Sequence, residues 1–523
     1  MNIHLFDTTL RDGTQSEGLS LSVEDKLKIA KLLDGFGIHF IEGGYPGSNP
    51  KDIEFFRRAK TVSFKHAKLT AFGSTRKAGG RAEGDANMRA LVEAETPAVC
   101  VFGKSSTLHV TKVLETSLEE NLAMIGDSVA FLKKNGREVV YDAEHFFDGY
   151  RLDARYALAT LKAAADAGAD WITMCDTNGG SLPSFITEVV GVVRSHVSPR
   201  LGIHTHNDAD LAVANALAAV EAGCTQVQGT MNGWGERCGN ANLISIIPAL
   251  QLKMDRRCVP DEHLARLTEL SRTVSEIANI RPRAHAPYVG RSAFAHKGGA
   301  HVAAVEKITS SYEHVAPERV GNERHIVVSE LSGRGNIRMR ANELGVDAKG
   351  SERELVGRIK ELENQGYQFE AAEGSFELLT RRFQAGYVAP FEVLDVVVIS
   401  EQRRGNSMFA EATVKVRIGD EVVHTVSEGA GPVHALDGAF HKALNDAFPL
   451  VREVQLADYK VRILDPEAAT GAKTRVLIEA ARGEERWSTI GVSQNIIEAS
   501  AAALADALEL PLARARAAAA RVA

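Results

Sequence analysis

Two histidines one residue apart, in GIHTHNDADL (202–211), are the residues of this chain with the plainest capacity for chemistry. Side chains alternate along a strand, so His204 and His206 share a face that Thr205 does not. Paired imidazoles at a strand end are good ligands for a divalent cation; the competing reading is two histidines satisfied by neighbouring backbone groups. Two further stretches carry ligating and charged groups. DTTLRDGTQ (7–15) sets Arg11 and Asp12 before Gly13, and NGWGERCGN (232–240) offers Asn240 as an oxygen ligand. Asp12, His204, His206 and Asn240 are the expected metal set, of mixed nitrogen and oxygen type suited to Mg, Mn or Zn. Asp208 reads as the cap of the following helix, and Glu236 with Arg237 as a local ion pair.

Such a set works only if separate strand ends converge. Short β-branched runs fall at 2–9, 38–44, 68–74, 98–104, 138–144, 171–177, 201–207 and 226–232, with helical patterns between them; Ser22 is the cap candidate of the first helix. Eight strands each followed by a helix, within about 250 residues, predict a (β/α)8 TIM barrel. An open doubly wound sheet would want fewer strands and a glycine-rich phosphate turn after the first. In a closed barrel the first, seventh and eighth strands are neighbours, which lets the four ligand candidates meet at the C-terminal rim.

The rhythm breaks after about residue 275, which predicts three parts: a catalytic barrel (1–275), a small, mostly helical connector (276–389) and a C-terminal α+β domain (390–523). The connector holds a helix opened by Ser351 and Glu354 in capping-box spacing. The last part carries a weak repeat, ATVKVRIGDEVVHTVSEGAGPVHALDGAFHKALND against TRVLIEAARGEERWSTIGVSQNIIEASAAALADAL, read as two ββα units that would bind an effector or a second subunit.

Composition sets the class. With 44% hydrophobic and 25% charged residues and a formal net charge of −7, the chain reads as an ordinary soluble globular protein with no basic stripe for nucleic acid. Five cysteines without a C-x-x-C pair suggest reduced thiols. Neither a signal-peptide pattern nor an apolar run of the ~20 residues that span a bilayer is visible, so the expected location is the cytoplasm, with no membrane partner.

T-L-R-D-G-x-Q (9–15), H-x-H-N-D (204–208) and G-E-R-x-G-N (235–240) together resemble the metal-dependent acyl-CoA condensing enzymes, the 2-isopropylmalate, homocitrate and citramalate synthases. IEGGYPGSNPKD (41–52), AEHFFDGY (143–150) and FAHKGGAHVAAV (294–305) look most like the citramalate branch. The resemblance implies a Claisen condensation of acetyl-CoA with pyruvate, then thioester hydrolysis to citramalate and CoA, a step toward isoleucine through 2-oxobutanoate. It implies one divalent metal ion, acetyl-CoA as co-substrate, a homodimer, and isoleucine as effector of the C-terminal domain.

In this scheme Arg11 stabilises the alkoxide, Glu144 acts as a base or orients one, and His301 with Tyr312 form an acid/base pair that reaches in as a lid from a partner subunit. Ala303 stands where many members carry an aspartate. Gln15, Glu42, Tyr45, Thr173 and Thr177 are the substrate-contact candidates beside Arg11, and SGRGNIR (332–338) is a candidate for the CoA phosphates. The alternatives are the same chemistry on another 2-oxo acid, a metal hydrolase on the same barrel, and a non-catalytic effector-binding protein.

Overall fold

The computed structural model describes residues 2–522, apart from 330, 347 and 403–407, and side chains as far as 519. Eight parallel strands close a barrel in sequence order: β1 (His4–Asp7), β2 (Phe40–Gly44), β3 (Lys68–Ser74), β4 (Ala98–Lys104), β5 (Glu138–Glu144), β6 (Trp171–Asp176), β7 (Arg200–Thr205) and β8 (Gln226–Gly229). β1 closes the ring against β8, with Asp7 opposite Gly229. Amphipathic helices follow the strands and cover the outside. The first, Val23–Phe36, is fastened by a capping box: Ser22 Oγ accepts from the Asp25 N–H at 3.1 Å, and Asp25 Oδ2 accepts from the Ser22 N–H at 3.0 Å.

Inward side chains divide the barrel into two layers. Phe6, Phe40, Val140 and Trp171 pack into an apolar floor, with the Trp171 ring edge-on to Phe40 at 6.1 Å. Arg200 covers the other side of Trp171 at 3.8 Å. Farther along the same strands the inward residues turn polar: Glu42, Asp142, Thr173, His204 and Gln228, all buried. Burying that many polar groups is tolerable only if each finds a partner or a ligand.

The chain folds into two compact units. One runs to Phe294 and takes back Val315–Glu323; the other holds Ala295–His314 and the chain from Arg324 onward. In the second unit a two-residue parallel pair, β9 (Ala295–His296) with β10 (His325–Ile326), precedes helices Arg334–Glu343, Glu352–Asn364 and Glu373–Arg382. These helices share a core of Ile337, Leu355, Ile359, Phe369 and Phe376. Ser351 precedes the middle helix, but its hydroxyl donates to the Ala348 carbonyl at 3.1 Å instead of closing the expected box with Glu354.

The C-terminal repeat is longer than the sequence suggests. β11 (Glu392–Glu401), β12 (Phe409–Ile418) and β13 (Glu421–Gly429) form an antiparallel sheet before helix Pro432–Leu444. β14 (Gln455–Ile463), β15 (Thr474–Arg482) and β16 (Glu485–Ser493) form a second one before Ile496–Val522. Each unit is therefore βββα, not ββα. The leading strands β11 and β14 lie at sheet edges and bury few side chains fully, which weakens the alternation that marks a strand in sequence. Among the described residues no helix is long and apolar enough to cross a membrane.

Candidate metal centre and active site

Period-two alternation on β7 turns His204 inward, and His206 continues on the same face just beyond the strand end. Their Nε2 atoms stand 3.2 Å apart. Asp12, on the turn after β1, brings Oδ2 to 3.5 Å from His204 Nε2. One donor atom from each of the three lies within 4.8 Å of the others; among the described residues no other three His, Cys, Asp or Glu side chains gather this way. Asn240 arrives from the loop after β8 through an antiparallel bridge to His206. All four residues are at most 6% exposed.

The β8 loop is shaped to make that delivery. Gly239 sits at φ 93°, and a Cβ there would stand 2.1 Å from the Gly233 carbonyl oxygen, so only glycine fits. The loop is tied to the β7 side by Arg237, whose Nε and Nη2 donate to Asp208 Oδ1 and Oδ2 at 2.7 and 2.9 Å. Asp208 is thus spent on this fork and caps no helix; Asn207 Oδ1 accepts the Ala212 N–H instead, at 3.2 Å. Glu236 is a distant second partner of Arg237, at 3.5 Å.

The donor set fits a divalent cation. Asp12 Oδ1, Asn240 Oδ1 and His206 Nδ1 are buried without a hydrogen-bond partner, a cost that an oxygen- and nitrogen-seeking ion would remove for the two oxygens. Burial works against the Asp12 charge, but Arg11, His204 and His206 outweigh it and hold its pKa at about 2. Burial, reinforced by the neighbouring His204, depresses His206 to about 3. Near neutral pH the carboxylate is therefore ionised and the His206 imidazole neutral, the states that ligation requires.

Behind the ligands lies a buried relay that the sequence reading missed. His204 Nδ1 meets Gln228 Oε1 at 2.8 Å, and Gln228 Nε2 donates to Asp142 Oδ1 at 2.8 Å and to Thr173 Oγ1 at 3.2 Å. With Gln228 accepting, the His204 proton sits on Nδ1 and the Nε2 lone pair faces Asp12 and His206. Burial raises Asp142 to about 6. Thr173, a candidate for the substrate carboxylate, has a buried hydroxyl that donates to Gln226 Oε1 at 3.2 Å and accepts from Gln228 Nε2. The signal was present: Gln226 and Gln228 make a Q-x-Q that faces inward like H-x-H, and Gln228 is the cross-strand partner of His204.

Arg11 is the charged group beside the ligands. Its Nε donates to Glu42 Oε2 at 2.6 Å, one Nη lies 3.1 Å from Asp12 Oδ2, and the guanidinium rests 3.7 Å over the Phe72 ring. Burial opposes its charge, but Glu42 and Asp12 more than offset this and keep it protonated. Glu42 also accepts from Thr8 Oγ1 at 2.5 Å and is fully buried. It holds Arg11 through Oε2, while its Oε1 is buried without a hydrogen-bond partner. The aromatic wall is made by Phe72, Phe102 and Tyr45, the first two stacked at 5.1 Å; the Tyr45 hydroxyl bonds Ser74 Oγ at 3.1 Å.

Glu144 ends β5 and is ion-paired with Lys104, its register partner at the end of β4. The next residue, His145, turns sharply in the left-handed region (φ 57°). Its N–H donates to Thr177 Oγ1 at 2.8 Å and its ring stacks on His109 at 3.7 Å, so Thr177 supports the turn that presents Glu144. Gln15 is exposed on the short 3-10 turn Gly13–Gln15. His301 and Tyr312 belong to the second unit, where their rings stack at 4.3 Å. Segment 332–338 opens helix Arg334–Glu343 there.

The comparisons agree with this architecture. Residues 2–274 match the HMGL-like family, 288–367 the homocitrate synthase post-HMGL domain-like family, and 370–512 the LeuA allosteric (dimerisation) domain. (R)-citramalate synthase of Geobacter sulfurreducens is 52% identical over 514 residues, 98% of this chain and 97% of the relative. Those of Synechocystis and Aquifex aeolicus are also 52% identical, over 98% and 97% of this chain and 96% and 97% of theirs. The chain belongs to the (R)-citramalate synthase branch of the HMGL-like family and is an enzyme of the acetyl-CoA-condensing acyltransferase type.

Proposed function

We propose that the barrel mouth condenses acetyl-CoA with pyruvate to give (R)-citramalate and CoA. The observation that carries this reading is the convergence of Asp12, His204, His206 and Asn240 on one point with the Arg11 guanidinium alongside. Those four side chains would hold a divalent cation, which would supply Lewis acidity for the bound 2-oxo acid. Mixed nitrogen and oxygen donors suit Mg, Mn or Zn.

This chain's residues do the rest. Glu144, at the rim on the face it shares with Val140 and Asp142 and steadied by Lys104, takes a methyl proton from the acetyl thioester. The carbanionic carbon bonds to the keto carbon, whose π-electrons pass to its oxygen, and Arg11 stabilises the charge that develops there. His301 and Tyr312, supplied by a partner subunit, are the pair that relays the proton from Glu144 to the new alkoxide. Water then adds to the thioester carbonyl, the carbon–sulfur bond breaks, and CoA leaves as the thiol. A groove of about 790 Å³ runs from Asn240 past Arg272, Arg281 and Arg283 within the first unit, and its cationic side chains suit the phosphates of the acyl carrier.

Release of CoA thiol with a panel of 2-oxo acids tests the reading. Pyruvate is expected to be preferred; a preference of about ten-fold for 2-oxoisovalerate overturns it, since one alkyl group is worth only about 1–3 kcal/mol of discrimination. The match to the LeuA domain supports a homodimer and an amino-acid effector, isoleucine, at the C-terminal module. Val397, Ile399 and Val422 are each about half exposed on one sheet there, an apolar surface available for self-association. Light scattering of the full chain checks the dimer, and turnover with added isoleucine checks the effector. Five unpaired cysteines favour a cytoplasmic location.

A further inference from the structure

The second unit holds a cavity of about 820 Å³ that nothing in the condensation chemistry uses. Its walls come from the end of helix Glu352–Asn364, the turn after it, and the β14–β15 sheet edge. Arg462 and Arg475 are directly paired residues of β14 and β15, so their side chains leave the same face of the ladder side by side. Like charges opposite one another destabilise a sheet unless an anion lies between them.

Arg475 is held in place. Its Nε donates to the Gly366 carbonyl at 2.6 Å and one Nη to Gln368 Oε1 at 2.7 Å, which leaves the other Nη unengaged. Burial and then the Arg462 charge pull its pKa down from the ordinary guanidinium value. Lys360 lines the same cavity, and among the described residues neither its ammonium nor the Arg462 guanidinium has a hydrogen-bond or ion-pair partner. The two wall carboxylates are occupied: Glu370 Oε2 lies 2.9 Å from Lys297 Nζ, and Glu363 Oε1 accepts the Phe369 N–H at 3.3 Å. Tyr367, Leu464 and Pro466 add apolar and planar surface to the lining of the same cavity.

We propose that this cavity binds a nucleotide, with its phosphates between Arg462, Arg475 and Lys360 and its base against Tyr367, Leu464 and Pro466. The volume is that of a drug-sized ligand and is far too large for a single inorganic phosphate. Guanidinium forks match phosphate oxygens in pairs, and an occupied site turns the Arg462–Arg475 repulsion into attraction. The proposal does not depend on the condensation reading. The nucleotide is a free one, distinct from the acyl carrier whose phosphates are assigned to the groove of the first unit.

Calorimetric titration of the full chain with ADP and, separately, with CoA tests this, alongside Arg462→Gln and Lys360→Gln variants whose melting temperatures show that they fold. One site per chain that loses at least about ten-fold in affinity in Arg462→Gln is expected. CoA binding and the KM for acetyl-CoA are expected to stay unchanged in the variants; a KM that rises in step with the lost ADP binding overturns the proposal. Absence of ADP binding up to about 1 mM, or equal ADP binding to wild type and variants, also overturns it.

Discussion

Gln228 Oε1 lies 2.8 Å from His204 Nδ1, and these two residues are also cross-strand partners of β8 and β7. The amide therefore orients a ligand from directly beside it while its own Nε2 is anchored on Asp142 and Thr173. Replacing it by Leu keeps the volume but removes the acceptor. Metal affinity is expected to fall about 10–100-fold, as for other partners of ligating histidines, with little change in melting temperature without added metal. Metal content after dialysis, measured by mass spectrometry, checks this.

Chelator treatment should abolish turnover, and Mg, Mn or Zn should restore it. Asp12→Asn should resist restoration, since the variant keeps the shape but loses the anion whose pKa is held at about 2. Undiminished activity after exhaustive chelation rules out the proposed centre.

Arg11→Lys exchanges a rigid fork for a point charge. The lysine cannot keep the contacts to Glu42 and Asp12 and still face the developing alkoxide. A loss of about 100-fold in kcat is expected, with metal content unchanged. Steady-state kinetics beside metal analysis separates the two effects.

Lys104→Met removes the cation paired with Glu144 at the rim. Turnover should fall about ten-fold with a smaller change in the KM for pyruvate, because orientation and not substrate affinity is lost. Lys104→Arg should recover most of the rate; a silent Lys104→Met variant removes the residue from the mechanism.

Asp7 closes β1, fully buried, and burial raises its pKa to about 7 although Thr9 donates two hydrogen bonds to it. Its folded-state value lies above the ordinary carboxyl value, so its contribution to stability is complete at acid pH and declines as pH rises from about 4 through about 7. Asp7→Asn should therefore gain in melting temperature relative to wild type between pH 5 and pH 8. An identical difference at both values contradicts the assignment.

Much of this was legible in the sequence, for physical reasons that differ by element. Period-two alternation put His204 and His206 on one face, and closure of eight strands brought Asp12 and Asn240 from neighbouring staves. Side-chain partnerships were not legible, because they depend on register across strands distant in sequence. Glu42 bonds Arg11, 31 positions away, and no local pattern announces that pairing. Nothing local pairs Lys104 with Glu144 either. The leading strands of the C-terminal repeat were lost from the repeat for another reason: exposed edge strands have no strict inside and outside to alternate between.

The aromatic plug of Phe6, Phe40 and Trp171, backed by Arg200, seals one end of the barrel. Traffic to the imidazoles is confined to the opposite opening, so the two reactants share a single doorway. Such a doorway favours the compact keto acid entering before the bulky thioester and the spent carrier leaving before the hydroxy diacid, an order that product-inhibition patterns check.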